Sequence, residues 1–155
     1  MKKLFILSLL ISISSFSYSQ HYETALGVKG GYTGWGFGGL NLKHFLVPKT
    51  ALEITLGGSG HQLRSDILFE YQNATGFYKG LEWYVGAGAS VGTWRKGVYD
   101  FDKGLFLVGI VAVGLDFKFQ LTPISLALET GPTHGLINAR GFGWSGAFAI
   151  RYVLK

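Results

Sequence analysis

Residues 62–72, QLRSDILFEYQ, alternate between two kinds of side chain over most of their length. Leu63, Ile67, Phe69 and Tyr71 occupy odd-numbered positions, and the charged residues, Arg64, Asp66 and Glu70, occupy even-numbered positions. Successive side chains of a β-strand point to opposite faces, so this stretch predicts a strand with one apolar and one charged face. The two faces require different surroundings, and that requirement guides the interpretation of the rest of the chain.

The same alternation recurs from Thr24 to the end of the chain, between clusters of Gly, Pro, Asn and Asp. No stretch has a helical period, and the segments have the length that a tilted membrane strand needs. We therefore predict an all-β fold, an eight-stranded antiparallel up-and-down transmembrane β-barrel. The predicted strands lie near residues 23–33, 36–46, 51–59, 62–72, 80–93, 104–119, 123–131 and 142–154.

The composition also favours contact with lipid. Charged residues make up 15% of the chain, against ~25% in soluble domains, while aromatic residues make up another 15% and there are 24 glycines. After the first segment of the chain, no stretch reaches the ~18 apolar residues of a membrane helix. If the chain meets a membrane, it must therefore do so with strands.

The charged residues of the predicted strands fall on one face. A charge that faces lipid near the middle of a bilayer costs about 2–4 kcal/mol, so this face is predicted to line the lumen. An eight-stranded lumen is narrow enough to be filled by side chains, and opposite charges there would interlock and close it. The predicted lumen network consists of Lys29, Lys43, Glu53, Arg64, Asp66, Glu70, Glu82, Asp116, Lys118, Glu129 and Arg151.

Aromatic residues concentrate toward the strand ends, where girdles of a membrane barrel lie at the level of the lipid headgroups. Alternatively, they are core aromatics of a soluble sandwich, which leaves the shortage of charge unexplained. The predicted girdle has Tyr71, Trp83, Phe117, Phe119 and Tyr152 at one rim, and Tyr32, Trp35 and Trp144 at the other.

The chain begins with two lysines, an apolar run at 4–13 and small residues at Ser17 and Ser19. This order is typical of a secretory signal peptide, and the apolar run is too short for a membrane helix. We expect a cleaved signal peptide at 1–19 and a barrel at 20–155. The chain has no cysteine, and therefore neither a disulfide nor a lipoprotein acylation site.

Net charge says little about partners. Without Lys2 and Lys3, the 14 basic residues fall to twelve, against 9 acidic ones. This balance is too mild to indicate a nucleic-acid partner.

The connections between strands divide into two sets. With both termini in the periplasm, those at 45–50, 72–79 and 120–123 face inward. Those at 33–36, 57–61, 94–103 and 131–141 face outward, and the last two are the longest, as expected of outer-membrane barrels.

A catalytic site at the outer rim would combine Ser59, His61 and His134 with Glu129 or Asp66. These residues form no recognisable motif, so we expect no catalytic residue and no enzymatic activity. The four histidines, His21, His44, His61 and His134, lack the spacing of metal ligands, and we expect no metal and no cofactor.

Three segments carry a family resemblance: GLNLKHFLVPKTALEITLGG at 39–58, GLEWYVGAGASVG at 80–92 and GWSGAFAIRYVLK at 143–155. They resemble the small outer-membrane β-barrels of Gram-negative bacteria, of the OmpA and OmpX type. The resemblance implies a location in the cell outer membrane as a monomer. Its implied partners are outer-membrane lipid, lipopolysaccharide and the barrel insertion machinery. One departure is the end of the chain, which in this family is usually aromatic but here reads Tyr152-Val153-Leu154-Lys155.

Four functions remain open at this stage. The first is a barrel with a structural or surface-interaction role and a lumen closed by paired charges. The others are a narrow channel suggested by the polar face, a soluble periplasmic lipid-binding barrel with the apolar face inside, and a lipid-modifying outer-membrane enzyme.

Overall fold

The computed structural model describes residues 22–95 and 104–154. The predicted signal peptide at 1–19, His21, residues 96–103 of one outer connection and Lys155 lie outside these ranges. No helix in the described ranges is long and apolar enough to span a membrane.

The described residues form eight antiparallel strands. Each strand pairs with the next along the chain, and the first pairs with the last, which closes the barrel. This confirms the predicted fold class. The strands are β1 (Thr24–Tyr32), β2 (Gly36–Val47), β3 (Thr50–Gly58), β4 (Gln62–Ala74), β5 (Leu81–Trp94), β6 (Gly104–Lys118), β7 (Ile124–Ile137) and β8 (Phe142–Leu154).

The strand register advances by ten residues in one circuit of the wall. Starting at Val153 in β8, the paired residues lead around the barrel and return to β8 at Gly143. The successive partners are Val153, Ala25, Lys43, Glu53, Leu68, Gly88, Ile110, Thr133 and Gly143. With ordinary strand spacings this stagger corresponds to a tilt of about 41° and a radius of roughly 8 Å. The interior is therefore only as wide as a few side chains.

Strand β7 is longer than predicted. The prediction ended it at 131, because Gly131 and Pro132 suggested a turn, but it continues to Ile137. Proline has no N–H to donate, and the ladder with β6 is interrupted between Thr130 and Thr133, while Pro132 stays paired with β8. The predicted outer connection at 131–141 was therefore wrong, and the actual one covers only 138–141.

Burial alternates along every strand, and the two faces differ in chemistry. Inward positions hold all the charged side chains of the strands, most of the amide and hydroxyl ones and many small ones, with a few large apolar residues such as Leu68 and Phe106, whereas outward positions hold mainly large apolar side chains. On the outward face of β1 to β8 there is no Asp, Glu, Lys or Arg. This is the reverse of a soluble barrel around an apolar ligand.

The glycines of the wall fall into two classes. A Cβ built on the inward-facing Gly88 would lie 1.9 Å from the carbonyl oxygen of Ile67, which is closer than atoms can pack. A Cβ on the outward-facing Gly38 would meet nothing within 4 Å. Close approach of neighbouring strands therefore excludes a side chain at Gly88 but not at Gly38.

We predict that Gly88→Ala destabilises the barrel by at least about 1–3 kcal/mol, because the added methyl forces β4 and β5 apart. The matched change Gly38→Ala should leave stability nearly unchanged. Urea unfolding of the refolded protein, followed by tryptophan fluorescence, measures both. Equal stability of the two variants would contradict the assignment of the glycine classes.

Candidate functional site

The centre of the lumen is built around the Glu53 carboxylate on β3. Its Oε1 lies 2.5 Å from Nζ of Lys29 on β1, and its Oε2 contacts Nη2 of Arg151 on β8. Lys29 Nζ also lies 2.6 Å from Oε1 of Glu129 on β7. One chain of ion pairs thus joins four strands across the interior.

A second cluster surrounds Lys43 on β2. Its Nζ lies 2.7 Å from Oε2 of Glu70 on β4 and 3.2 Å from Oδ2 of Asp116 on β6. The same ammonium group stands 4.6 Å from the centre of the Tyr84 ring. Arg151 Nη1 lies 3.4 Å from Asp116 Oδ2 and so connects the two clusters.

Neutral side chains add hydrogen bonds to several of these charges. Arg151 Nε donates to Asn41 Oδ1 at 2.5 Å, and the amide of Asn41 donates to Thr55 at 2.9 Å. The hydroxyl of Tyr84 donates to Glu129 at 2.8 Å. A buried ion pair is tolerated when its remaining donors and acceptors are satisfied in this way.

The end of the lumen nearest the chain termini is covered by Tyr22, which precedes β1. Tyr22 is 6% exposed, its hydroxyl donates to Asp116 Oδ2 at 2.9 Å, and its ring packs edge-on against Phe45. Burial raises the pKa of the Tyr22 hydroxyl, and the neighbouring carboxylate of Asp116 raises it further, so the hydroxyl remains a donor. Sequence reasoning did not single out Tyr22; the available signal was an aromatic residue directly before the first strand.

A separate ion pair lies toward the other end. Arg64 Nη2 and Nε lie 2.8 and 2.9 Å from Asp66 Oδ1, and Arg64 Nη1 donates to Thr33 Oγ1 at 2.6 Å. The guanidinium group also stands 4.3 Å from the centre of the Phe37 ring. Along β4, the buried Leu68 lies between Asp66 and Glu70, and it packs against Ile110 and Ala112 of β6.

An aromatic cluster covers this second end. The rings of Trp94 and Phe106 are 4.8 Å apart, and Trp35 stands 6.3 Å from Trp94. Trp35 is one of the residues predicted for the aromatic girdle at this rim, and that assignment stays a prediction. Trp35 lies in the connection after β1, where no strand fixes its direction, and it packs against the buried Trp94 at the barrel mouth.

The structure places all eleven residues of the predicted lumen network at inward positions. Two of them, Lys118 and Glu129, are only partly buried, and the Lys118 ammonium group stands 5.8 Å from the Tyr22 ring centre. The nine buried members are Lys29, Lys43, Glu53, Arg64, Asp66, Glu70, Glu82, Asp116 and Arg151.

The other predicted girdle residues lie near the two rims, outside the lumen. Near the chain termini, Tyr71 packs against Trp83 at 6.0 Å and Phe117 against Phe119 at 4.9 Å. Tyr152 is exposed at this same end. Tyr32 and Trp144 are exposed toward the opposite rim.

The structure does not assemble the hypothetical rim site. Ser59 Oγ accepts a hydrogen bond from the backbone N–H of His61, whose ring packs against Trp35. His134 was expected in a loop but lies on the outward face of β7, because that strand continues past Pro132. Glu129 and Asp66 point into the lumen and are ion-paired there.

Three carboxylates approach one another in the lumen: oxygens of Glu53, Glu70 and Glu129 lie within 4.8 Å of one another. The ammonium groups of Lys29 and Lys43 contact them at 2.5–2.7 Å. The protein's own cations thus occupy the positions that a metal ion would need, and we assign no metal to this cluster.

We predict that Arg151→Met costs about 3–5 kcal/mol, because it leaves the buried carboxylates of Glu53 and Asp116 short of a cation. Glu53→Gln in the same chain removes one of these uncompensated charges, and the double variant should regain part of the loss. Urea unfolding in lipid vesicles measures both. A double variant less stable than Arg151→Met would contradict the pairing.

Comparison with known proteins indicates the fold alone. No protein-family model matches the sequence, and no curated protein matches it significantly. Among solved structures, the chain is similar to the N-terminal β-barrel domain of Pseudomonas aeruginosa OprF, with 16% identity and a TM-score of 0.70. The match covers 86% of this chain and 100% of the OprF domain. The chain therefore has an eight-stranded β-barrel fold of the outer-membrane type.

Proposed function

We propose that this protein spans the outer membrane of a Gram-negative cell as a barrel with a structural or surface-interaction role and a closed lumen. One observation carries the proposal: the charges of the strands lie inside and at least nine of these eleven residues are ion-paired there, while the outward face of β1 to β8 has none. In a bilayer, a charge that is paired inside the lumen avoids the free-energy cost of a charge that faces lipid.

The outward face also supports contact with lipid through its apolar residues. Large side chains such as Leu128, 62% exposed, and Val113, 55% exposed, are uncovered in the middle of their strands. In a soluble protein, each of these side chains would expose its apolar surface to water, at a free-energy cost of about 25 cal/mol per Å². A soluble lipid-binding barrel would have these side chains inside, so the burial pattern disfavours that alternative.

Three layers support a closed lumen over a narrow channel. Tyr22 covers one end, Leu68 and Ile110 pack together between the two ends, and Trp94 with Phe106 covers the other. The polar interior is what favours a channel, but its polar groups bind each other across the lumen. Conduction would require several of these contacts to break together.

The remaining elements of the proposal rest on the sequence. The predicted signal peptide would direct export, and the predicted girdles would position the barrel between headgroups. Lipid, lipopolysaccharide and the insertion machinery are the proposed partners, and the barrel is proposed to be monomeric. Surface interaction falls to the connections at the aromatic-covered end. No observation favours a lipid-modifying enzyme, and the absence of activity stays a prediction.

We predict that the native protein stays in the membrane fraction after carbonate extraction and migrates faster on gels when unheated. Both follow from a closed barrel held by lipid on its outer wall. Membrane fractionation followed by gel electrophoresis, with and without boiling, measures them. Release by carbonate would overturn the proposal in favour of a soluble barrel.

Two substitutions to arginine test whether the outer wall faces lipid. Ile67→Arg places a charge on the outer wall halfway along β4 and should cost about 2–4 kcal/mol in a bilayer. Phe77→Arg makes a comparable change at a fully exposed turn and should cost little. Equal stabilities in lipid vesicles would count against a lipid-facing wall.

We predict that the purified barrel shows no discrete conductance steps in planar lipid bilayers. We expect no conductance because side chains fill the lumen. Wild-type protein and a boiled sample of it serve as a matched pair, since only the first holds a folded barrel. Reproducible steps that the boiled sample lacks would establish the channel.

A further inference from the structure

We propose that a groove on the outer wall binds one acyl chain of a membrane lipid. The inference rests on the proposed membrane location. The groove has a volume of about 740 Å³ and crosses β6, β7, β8 and β1, with Trp83 of β5 at one edge. Large apolar side chains border it, among them Leu115, Leu128 and Phe148.

The groove exists because small residues interrupt the large ones at outward positions. Gly30 stands opposite Phe148, and Gly146 stands opposite both Tyr32 and Thr130. Gly30 and Gly146 thus leave two outward positions without a side chain. The wall is concave at these glycines, because the adjoining outward positions carry large side chains such as leucine and phenylalanine.

Packing within the barrel does not require these glycines. A Cβ on Gly146 would come no closer than 3.8 Å to another group, and a Cβ on Gly30 no closer than 3.4 Å. Inward glycines differ: a Cβ on the adjacent Gly31 would lie 2.3 Å from a backbone oxygen of β8. The concave shape is therefore not a by-product of strand closure, and a side chain at Gly146 would fill it.

Between Tyr32 and Trp83 at its borders, the lining of the groove offers a ligand no side chain with an open polar group. Thr130 Oγ1 donates to the carbonyl of Ser145 at 2.8 Å and accepts from Trp144 Nε1 at 2.7 Å. Glu129 borders the groove through its backbone, because its carboxylate is directed inward to Lys29 and Tyr84. The part of a ligand that lies in the groove must therefore be apolar.

An acyl chain is the occupant that the surroundings of the groove favour. A two-fold dimer is the competing occupant, since a ridge beside one groove can enter the groove of the other copy, and the oligomeric state of the variants distinguishes the two. A flexible hydrocarbon chain can follow a concave apolar surface. Tyr32 and Trp83, which border the groove, belong to the two predicted girdles, so the groove lies at the depth of the hydrocarbon layer.

The test uses wild type, Gly146→Leu and Ser65→Leu, each refolded into dimyristoyl phosphatidylcholine vesicles and extracted into a mild detergent. Native mass spectrometry counts the phospholipids that remain bound as detergent is increased. We expect one phospholipid to persist on wild type and on Ser65→Leu, whose added side chain lies on the outward face of β4, away from the groove. Gly146→Leu should lose it, because leucine occupies the space of the acyl chain.

Heat-dependent gel mobility establishes that each variant is folded, and Gly30→Ala provides a milder second filling of the groove. Leu128→Ala, which widens the groove, should keep the lipid. Absence of a persistent phospholipid on wild type, or equal retention by Gly146→Leu, would overturn the proposal. A wild-type dimer that Gly146→Leu converts to a monomer would assign the groove to a second copy. Failure of the membrane proposal would appear separately, as release by carbonate.

Discussion

The narrowness of the lumen is the constraint on which the rest of this structure depends. Eight strands with a stagger of ten residues leave a radius of roughly 8 Å, so an inward side chain meets the opposite wall. Glu53 can contact Lys29 and Arg151 because these residues, 24 and 98 positions away in sequence, converge when β1 and β8 pair. The charges are thus compensated only in the closed barrel, which couples their burial to closure.

The same charges fix the register of the strands. A slip by one residue in a β-ladder turns every side chain to the other face. For β8 such a slip would move Arg151 out of its contacts with Glu53 and Asp116 and direct it toward the lipid. The slip would raise the free energy of the barrel in two ways. It would expose the Arg151 charge to lipid, and it would leave the buried carboxylates of Glu53 and Asp116 without this cation. In this barrel, ion pairs therefore contribute specificity as well as stability.

The alternation of side chains predicted the architecture, because alternate residues of a strand face opposite sides. Each of the eight segments carries its charged residues on a single side. The alternation was not sufficient to predict which charges meet. That Lys43 contacts Glu70 and Asp116, on strands β4 and β6, follows from the stagger between strands, which a single strand's pattern does not encode. The end of β7 was predicted too early, because Pro132 resembled a strand end although β8 continues to pair with it. Tyr22 was missed because it precedes the alternating region.

A lumen filled by its own side chains leaves the outer wall and the connections as the surfaces available for recognition. The glycines of the inward face and those of the outward face also differ in whether a side chain would fit. Gly88 lies on the inward face because strand contact leaves no room for a Cβ, whereas Gly146 has room outside and still lacks a side chain. Inside, small residues allow long charged side chains to meet; outside, they produce a groove across β6 to β1 that is lined mainly by apolar side chains and backbone. Because the outward face of β1 to β8 carries no Asp, Glu, Lys or Arg, selective contact of this wall with its surroundings depends largely on shape, and the groove at Gly30 and Gly146 is a place where that shape departs from a smooth cylinder.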